Sequence, residues 1–480
     1  MKEYKNLING GWVSASNGAT IENRNPANTA EVLGIFPSAT RDDTRRAIAA
    51  AREAFPGWAG MPAPNRGAIL DKASQIIAGR MDEMAAALTR EEGKTFAEAK
   101  GEAVRARDLF RFFGGEGWRI RGDLLPGTVT DEVLFTRREP LGVVGIITPW
   151  NFPLAIPAWK IAPALAYGNT VVFKPASYAP HSSLLLVEAL LEAGLPPGVI
   201  NYVTGSGREV GDEIVTSPQV NGLSFTGSYD VGTRIYAQAI KNLTRVQLEM
   251  GGKNPTIVLN DAKLDQAVDI VVRGGFGLTG QACTATSRVI VEEGVADELA
   301  AALSEAARRL RVGDGLDSAT QMGPAVSQDQ LETDLKYIEI GRQEGAKLLA
   351  GGDIARSGGF YIQPTVFDGV DVNMRIAQEE IFGPVIGMIR VKNVEEAIEK
   401  ANAIGFGLSA GIVTNDMHKA FMFADRIEAG VVKINEPTTG LAAHMPFGGF
   451  KHSSANTFKE QGQSAVDFYT RLKTVYLKHG

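Results

Sequence analysis

The chain has 480 residues, 44% of them apolar and 22% charged, with a formal net charge of −6 and basic residues scattered along its length. That balance disfavours a nucleic-acid surface, which concentrates positive charge, but leaves free nucleotides open as ligands because local amide clusters bind them. One cysteine, Cys283, excludes an internal disulfide and a thiolate zinc cluster.

The five histidines include no pair three or four apart, so no metal site is expected. The opening stretch MKEYKNLINGGWVSASNG has no apolar core of signal-peptide length, and no run reaches about 18 apolar residues. The expected setting is cytoplasmic, with no membrane partner. Length sets a prior of about three domains.

Residues 1–30 read as short strands and turns punctuated by Gly10, Gly11 and Gly18. From Ala39 to about Gly117 the pattern is helical. SATRDDTRRAIAAAREAF opens with a hydroxyl cap and early acids, and places Ala47, Ala51 and Phe55 at helical spacing. GEAVRARDLFRFFGGEG closes a second long helical region. WRIRGDLLPGTVTDEVLFTRREPLG then sets β-branched residues around a Pro-Gly turn and reads as a projecting hairpin, either an oligomer contact or a plain surface feature.

From residue 142 strands and helices alternate. GVVGIITPW and TVVFKP are buried strands, HSSLLLVEALLEAG a helix, VINYVTG a strand, SGREVGDEIV a helix start, GLSFTG a strand and SYDVGTRIYAQAI a helix. Buried strands joined by helices predict a parallel, doubly wound α/β sheet. The alternation restarts at about residue 250, with LDQAVDIVVRGGFGL, SRVIVEEG, ADELAAALSEAARRL, VIGMIRV, VEEAIEKANAI, SAGIVT and GVVKIN, which predicts a second α/β domain. The tail FYTRLKTVYLKHG alternates apolar and basic residues, as an edge strand would.

Several stretches carry chemistry. In FTGSYDVG a strand ends, Gly227 permits close backbone approach, and Ser228 sits where a helix begins, a place suited to pyrophosphate. An ordinary strand-to-helix turn reads the same way, and the GxGxxG spacing is absent. Lys174 in FKPAS lies at a strand's C-terminal end, the side where α/β sheets bind ligands; a solvated lysine is the bland alternative. Asn151 in TPWNFP reads either as an oxyanion donor on a loop pinned by prolines or as a turn asparagine. Glu249 in QLEMGGKNP is a general base raised by desolvation or a structural cap. EEIFGP and PFGGFKHSS are glycine turns of either kind. Cys283 in GQACTATSR, among small polar neighbours, is either a cleft thiol favoured as thiolate by nearby dipoles or a small buried hydrophobe.

Taken in order, PWNFP, FKPAS, FTGS with its following VG, LEMGGKNP, GQACTATSR, EEIFGP and PFGGFKHSS resemble the aldehyde dehydrogenase superfamily over nearly the whole chain. The resemblance implies an α/β architecture with a Rossmann-type cofactor domain over residues 1–119 and 141–249, an α/β catalytic domain over 250–447, and a small β oligomerisation element from 120–140 and 458–480. It implies Cys283 as nucleophile, Asn151 with the Cys283 backbone N–H as oxyanion hole, and Glu249 as general base. On the cofactor it implies Lys174 and Ser177 at the adenosine ribose, Gly227 and Ser228 at the pyrophosphate, Glu380 at the nicotinamide ribose and Phe382 against the nicotinamide, with Trp150 also among the cofactor-binding residues. A small aldehyde is the implied substrate, and a homodimer or homotetramer the implied assembly.

Three details sharpen this expectation. Members that transfer the acyl group to coenzyme A typically lack a glutamate at the position of Glu249, so its presence favours hydrolysis to a free acid. Many NAD-preferring relatives carry an acid where this chain has Ser177, so NADP is expected to be preferred and NAD accepted. Finally, EEGKTFAEAKGEA, NFPLAIPAWKIAPALAYGNTVV and TGQACTATSRVIV are similar to the branch that oxidises 2-oxoglutarate semialdehyde (2,5-dioxopentanoate), although succinate semialdehyde and broad-range members share much of this wording. Arg105, Arg107 and Arg111, on the helix before the hairpin, either meet a substrate carboxylate or form a solvated face. Residues 436–445 lie where family members vary near the substrate entrance. The remaining alternatives are a coenzyme A-acylating dehydrogenase and a non-catalytic binding protein.

Overall fold

The computed structural model describes residues 2–479; Met1 and Gly480, inside the boundaries expected above, lie outside the described residues. The first helix, Arg41–Gly60, starts where its hydroxyl cap predicts. Thr40 accepts from the Asp43 amide while the Asp43 side chain accepts from the Thr40 amide, a reciprocal cap whose hydroxyl alone is worth about 1 kcal/mol. Three further helices follow, Ala63–Gly79, Met81–Glu92 and Phe96–Gly114.

The first sheet has seven strands. Arg245–Glu249, Gly222–Thr226, Val143–Ile147, Thr170–Lys174 and Ile200–Tyr202 run parallel in that spatial order, and Asn6–Ile8 and Gly11–Val13 extend it antiparallel. The chain builds outward from Val143–Ile147 in one direction, then returns to place Gly222–Thr226 on its other side. That reversal opens a crevice at the C-terminal ends of the two strands, where α/β sheets take ligands. The crossover helix Ala155–Ala166 has all twelve residues buried. With no polar face it carries no amphipathic period, which is why the sequence pattern does not announce it.

The second sheet also has seven strands, ordered Lys347–Ala350, Thr365–Asp368, Val385–Val391, Thr286–Glu292, Asn254–Val258, Ser409–Val413 and Val431–Ile434, all parallel except the first pair. Only Met250 to Lys253 separate the edge strand of the first sheet from the strand that opens the second. The C-terminal edge of one sheet is therefore tied to the N-terminal edge of the other, and Cys283 lies just before Thr286–Glu292 on that edge.

The tail forms the expected edge strand. Thr470–Lys478 pairs antiparallel with Glu132–Pro140 along nine residues, and Leu124–Pro126 pairs on the far side. Leu124, Leu472, Tyr476 and Leu477 of this small sheet are exposed.

Candidate active site

Cys283 is half-buried and lines a cavity of about 310 Å³ with Glu102, Arg105, Phe152, Trp159 and Leu441. Its loop is held in an unusual path. Leu278, Thr279 and Gly280 have φ of 55°, 58° and 67°, a left-handed conformation that costs the two non-glycine residues about 1–3 kcal/mol each. The surroundings impose it. Glu98 accepts from the Leu278 amide at 2.7 Å, the Thr279 hydroxyl donates to the Gly323 carbonyl at 3.1 Å, and a Cβ on Gly280 would come within 2.3 Å of the Gly383 carbonyl. Backbone therefore packs on backbone between the Cys283 loop and the Phe382–Gly383 turn, where Phe382 is also left-handed at φ 63°.

Of the two readings the sequence left open for Cys283, the surroundings of the thiol do not favour the ionised one. Burial pushes its pKa up to about 12, and the charges of Glu380 and Glu249 push the same way.

Asn151 is 2% exposed on the loop after Val143–Ile147. Its Nδ2 donates one hydrogen to the Gln281 carbonyl at 2.9 Å, two residues before Cys283, which leaves the second hydrogen of that amide unspent. The Asn151 backbone carbonyl accepts from Lys94 Nζ at 2.7 Å, and Lys94 also donates to Glu102 at 2.6 Å. The other oxygen of Glu102 accepts from the amides of Leu154 and Ala155 at 2.8 and 3.0 Å. Burial alone would discharge Lys94; Glu102 and Glu92 outweigh it and hold its pKa above the usual lysine value. Lys94→Met would leave these acids buried without their cation. We expect it to lower the unfolding free energy by about 3–5 kcal/mol, read by chemical denaturation.

Glu249 ends the strand Arg245–Glu249 and is 1% exposed. Its Oε2 accepts from the Gly449 amide at 3.1 Å, and its Oε1 has no partner. A Cβ on Gly448 would come within 2.4 Å of Oε1, so glycine there makes room for the carboxylate. Burial, then the nearby Glu460 charge, holds the Glu249 pKa well above the ordinary carboxylate value. Behind it Lys160 pairs with Glu460 and donates to Ser224 Oγ at 2.8 Å. Sequence reading missed Lys160 and Glu460, though a lone lysine in the otherwise apolar AIPAWKIAPALA was a visible signal. Lys94 and Glu102 carried none.

The second group of expected residues spans the crevice. Gly227 donates its amide to the Glu249 carbonyl at 3.1 Å, and exposed Ser228 precedes the helix Tyr229–Ala239 with no side-chain cap bond. Lys174 is buried at its strand end. Its Nζ donates only to the Pro175 carbonyl at 3.1 Å, and burial lowers its pKa to about 8. Ser177 is exposed on the following loop. Glu380 accepts from the Gly252 amide at 2.9 Å, and burial raises its pKa to about 7. A Cβ on Gly251 would meet Glu380 Oε2 at 2.1 Å. Trp150 and Phe382 stand edge to face with ring centroids 5.4 Å apart. An open helix start, an amine with no acid beside it and a carboxylate with a ring pair fit the phosphate, ribose and ring parts of a dinucleotide. Among the described residues no group of three or more histidine, cysteine, aspartate or glutamate side chains is placed to hold a metal ion.

A doubly wound sheet with a crevice at its switch point, facing a second sheet that carries a cavity cysteine, is the architecture of a nucleotide-dependent α/β enzyme. The aldehyde dehydrogenase family model matches residues 12–475, and the chain belongs to that family. It is 49% identical to alpha-ketoglutarate semialdehyde dehydrogenase of Haloferax volcanii, over 98% of each chain. It is 47% identical to 2,5-dioxopentanoate dehydrogenase of Saccharolobus solfataricus, over 99% of each. A solved NAD-dependent aldehyde dehydrogenase from Sinorhizobium meliloti superposes with a TM-score of 0.97 at 38% identity, covering 100% of this chain and 96% of that one. The chain is thus an NAD(P)-dependent aldehyde dehydrogenase, with an aldehyde as substrate. Among the described residues no helix is long and apolar enough to cross a membrane.

Proposed function

We propose that the enzyme oxidises 2,5-dioxopentanoate to 2-oxoglutarate and releases the free acid. The observation that carries the reading is Glu249, a buried carboxyl with one unpartnered oxygen, close enough to Cys283 for its charge to raise the thiol. The names of the relatives in Haloferax and Saccharolobus support the substrate.

Cys283 loses its thiol proton to solvent as Sγ attacks the aldehyde carbon, and the free Asn151 N–H with the Cys283 backbone N–H steadies the oxyanion. NAD(P), when bound, would supply the hydride acceptor needed to oxidise the Cys283 adduct to a thioester. Glu249 then takes a proton from water, which cleaves the thioester and frees the Cys283 thiol. Lys174 and Ser177 would hold the adenosine ribose, Gly227 and Ser228 the pyrophosphate, Glu380 the nicotinamide ribose, and Trp150 and Phe382 the ring.

Residues 1–119 and 141–249 would form the cofactor domain, 250–447 the catalytic domain, and 120–140 with 458–480 the oligomerisation element. The exposed apolar side chains of the small sheet support a homodimer or homotetramer. A free thiol nucleophile suits a reducing compartment, which supports the cytoplasm.

Reduced-cofactor absorbance across 2,5-dioxopentanoate, succinate semialdehyde, glyceraldehyde and benzaldehyde tests the substrate. The highest kcat/KM is expected for 2,5-dioxopentanoate with no requirement for coenzyme A; a higher value for another aldehyde would reassign it. NADP preference rests on Ser177 and Lys174, which offer a hydroxyl and a cation to a 2′-phosphate. Ser177→Glu is expected to lower kcat/KM for NADP relative to NAD by about tenfold or more, the effect of one carboxylate–phosphate repulsion. Wild-type enzyme that clearly favours NAD would remove this reading.

A further inference from the structure

Of the three arginines singled out on the helix Phe96–Gly114, only Arg105 reaches the cavity of Cys283. Arg107 pairs with Asp108 at 2.7 Å, and Arg111 is exposed. Arg105 is half-buried; its Nη1 donates to the Leu441 carbonyl, and its Nη2 donates to Gln461 Oε1 at 2.6 Å. Both partners are neutral. Asp108, already paired with Arg107, is the one acid acting on it, and burial lowers its pKa to about 10, so it stays charged near neutrality.

The acids on the same cavity wall are spent elsewhere. Glu98 accepts from the Leu278 amide and from Thr95, and Glu102 accepts from Lys94, Leu154 and Ala155. Arg273, also on the wall, pairs with Asp269 at 3.2 Å. A partly desolvated guanidinium without an acid is costly to keep. Its Nε hydrogen and the remaining Nη hydrogens are unspent donors. Phe152, Ala155, Trp159, Leu278 and Leu441 give the cavity apolar wall that suits a carbon chain.

We propose that Arg105 seats the remote carboxylate of the substrate while the aldehyde end lies at Cys283. This makes Arg105 a determinant of specificity for acid-bearing aldehydes, and it rests on the function proposed above. Through its bond to Leu441, Arg105 also holds the entrance segment 436–445 against the cavity. Carboxylate recognition and the shape of the entrance thus meet at one side chain.

The test compares wild type with Arg105→Met and Arg105→Lys, using NADP with 2,5-dioxopentanoate and with pentanal, which has the same chain length and no carboxylate. For Arg105→Met, kcat/KM on 2,5-dioxopentanoate is expected to fall roughly 10- to 150-fold, mainly through KM, the effect of losing a charge-assisted contact. Pentanal should lose markedly less, since it shares only the effect of the freed entrance segment, and Arg105→Lys should recover part of the loss. Equal losses on both aldehydes would reduce Arg105 to a support for the entrance segment and overturn the proposal. An unchanged value for 2,5-dioxopentanoate would also overturn it.

If wild type instead prefers another acid-bearing aldehyde, the substrate reading fails, and the same comparison on that aldehyde decides the fate of Arg105. Calorimetric titration with glutarate gives an answer independent of turnover. Affinity should drop at least tenfold in Arg105→Met, and equal affinity would overturn the seat.

Discussion

Cys283→Ala is expected to lower kcat by about 10,000-fold or more, whatever the aldehyde. No other thiol exists in the chain to replace it. The fold should survive, because the residue is half-buried beside a cavity and its loop is held by Glu98, Gln281 and the Gly383 backbone rather than by sulfur. Unchanged far-UV dichroism and NADP affinity, with no production of reduced cofactor, is the expected pair of results. Retained activity would mean that the mechanism is wrong. The same thiol makes a pH prediction. Its pKa is raised to about 12, so the thiolate fraction climbs with pH across the accessible range. Alkylation of the cofactor-free enzyme by iodoacetamide should therefore accelerate steadily from neutral pH upward, without a plateau below pH 9. A plateau near neutrality would indicate an ionised thiol.

Glu249→Gln is expected to separate the two halves of the reaction. On the proposed mechanism the thiol can still attack and the thioester can still form, but the base that activates water would be gone. One equivalent of reduced cofactor per Cys283 should appear in a burst, followed by turnover slower by about 100- to 10,000-fold. Stopped-flow absorbance distinguishes this from uniform slowing, which would show no burst. In wild type, Glu249 has its pKa raised well above the ordinary value by burial. Its active, ionised form is therefore lost as pH falls through that raised value and gained as pH rises. The deacylation rate should climb with pH and flatten above it, and Glu249→Gln should abolish that limb. The substitution also removes one of the charges that push the thiol up, so alkylation of Cys283 should become somewhat faster at a given pH.

Much of the fold was legible because its strands are short apolar runs and most helices are amphipathic. The helix 155–166 escaped for the opposite reason: it lies between sheet and helices with no solvent face to set a period. The three arginines at 105, 107 and 111 looked alike in one dimension. Only packing sent one into the cavity, paired one with Asp108 and left one in solvent.

By itself the sequence determined the class of chemistry. A lone thiol, an amide on a pinned loop, a carboxylate before two glycines and a strand-to-helix glycine turn keep their order and identity whatever the folded details. The ionisation of these groups was decided by tertiary structure alone, because a pKa depends on water excluded and charges brought near by segments hundreds of residues apart. Its small polar neighbours left Cys283 open between a thiolate favoured by nearby dipoles and a buried thiol. Burial by the segments folded over it, with the nearby Glu380 and Glu249 charges, raises its pKa and disfavours the thiolate.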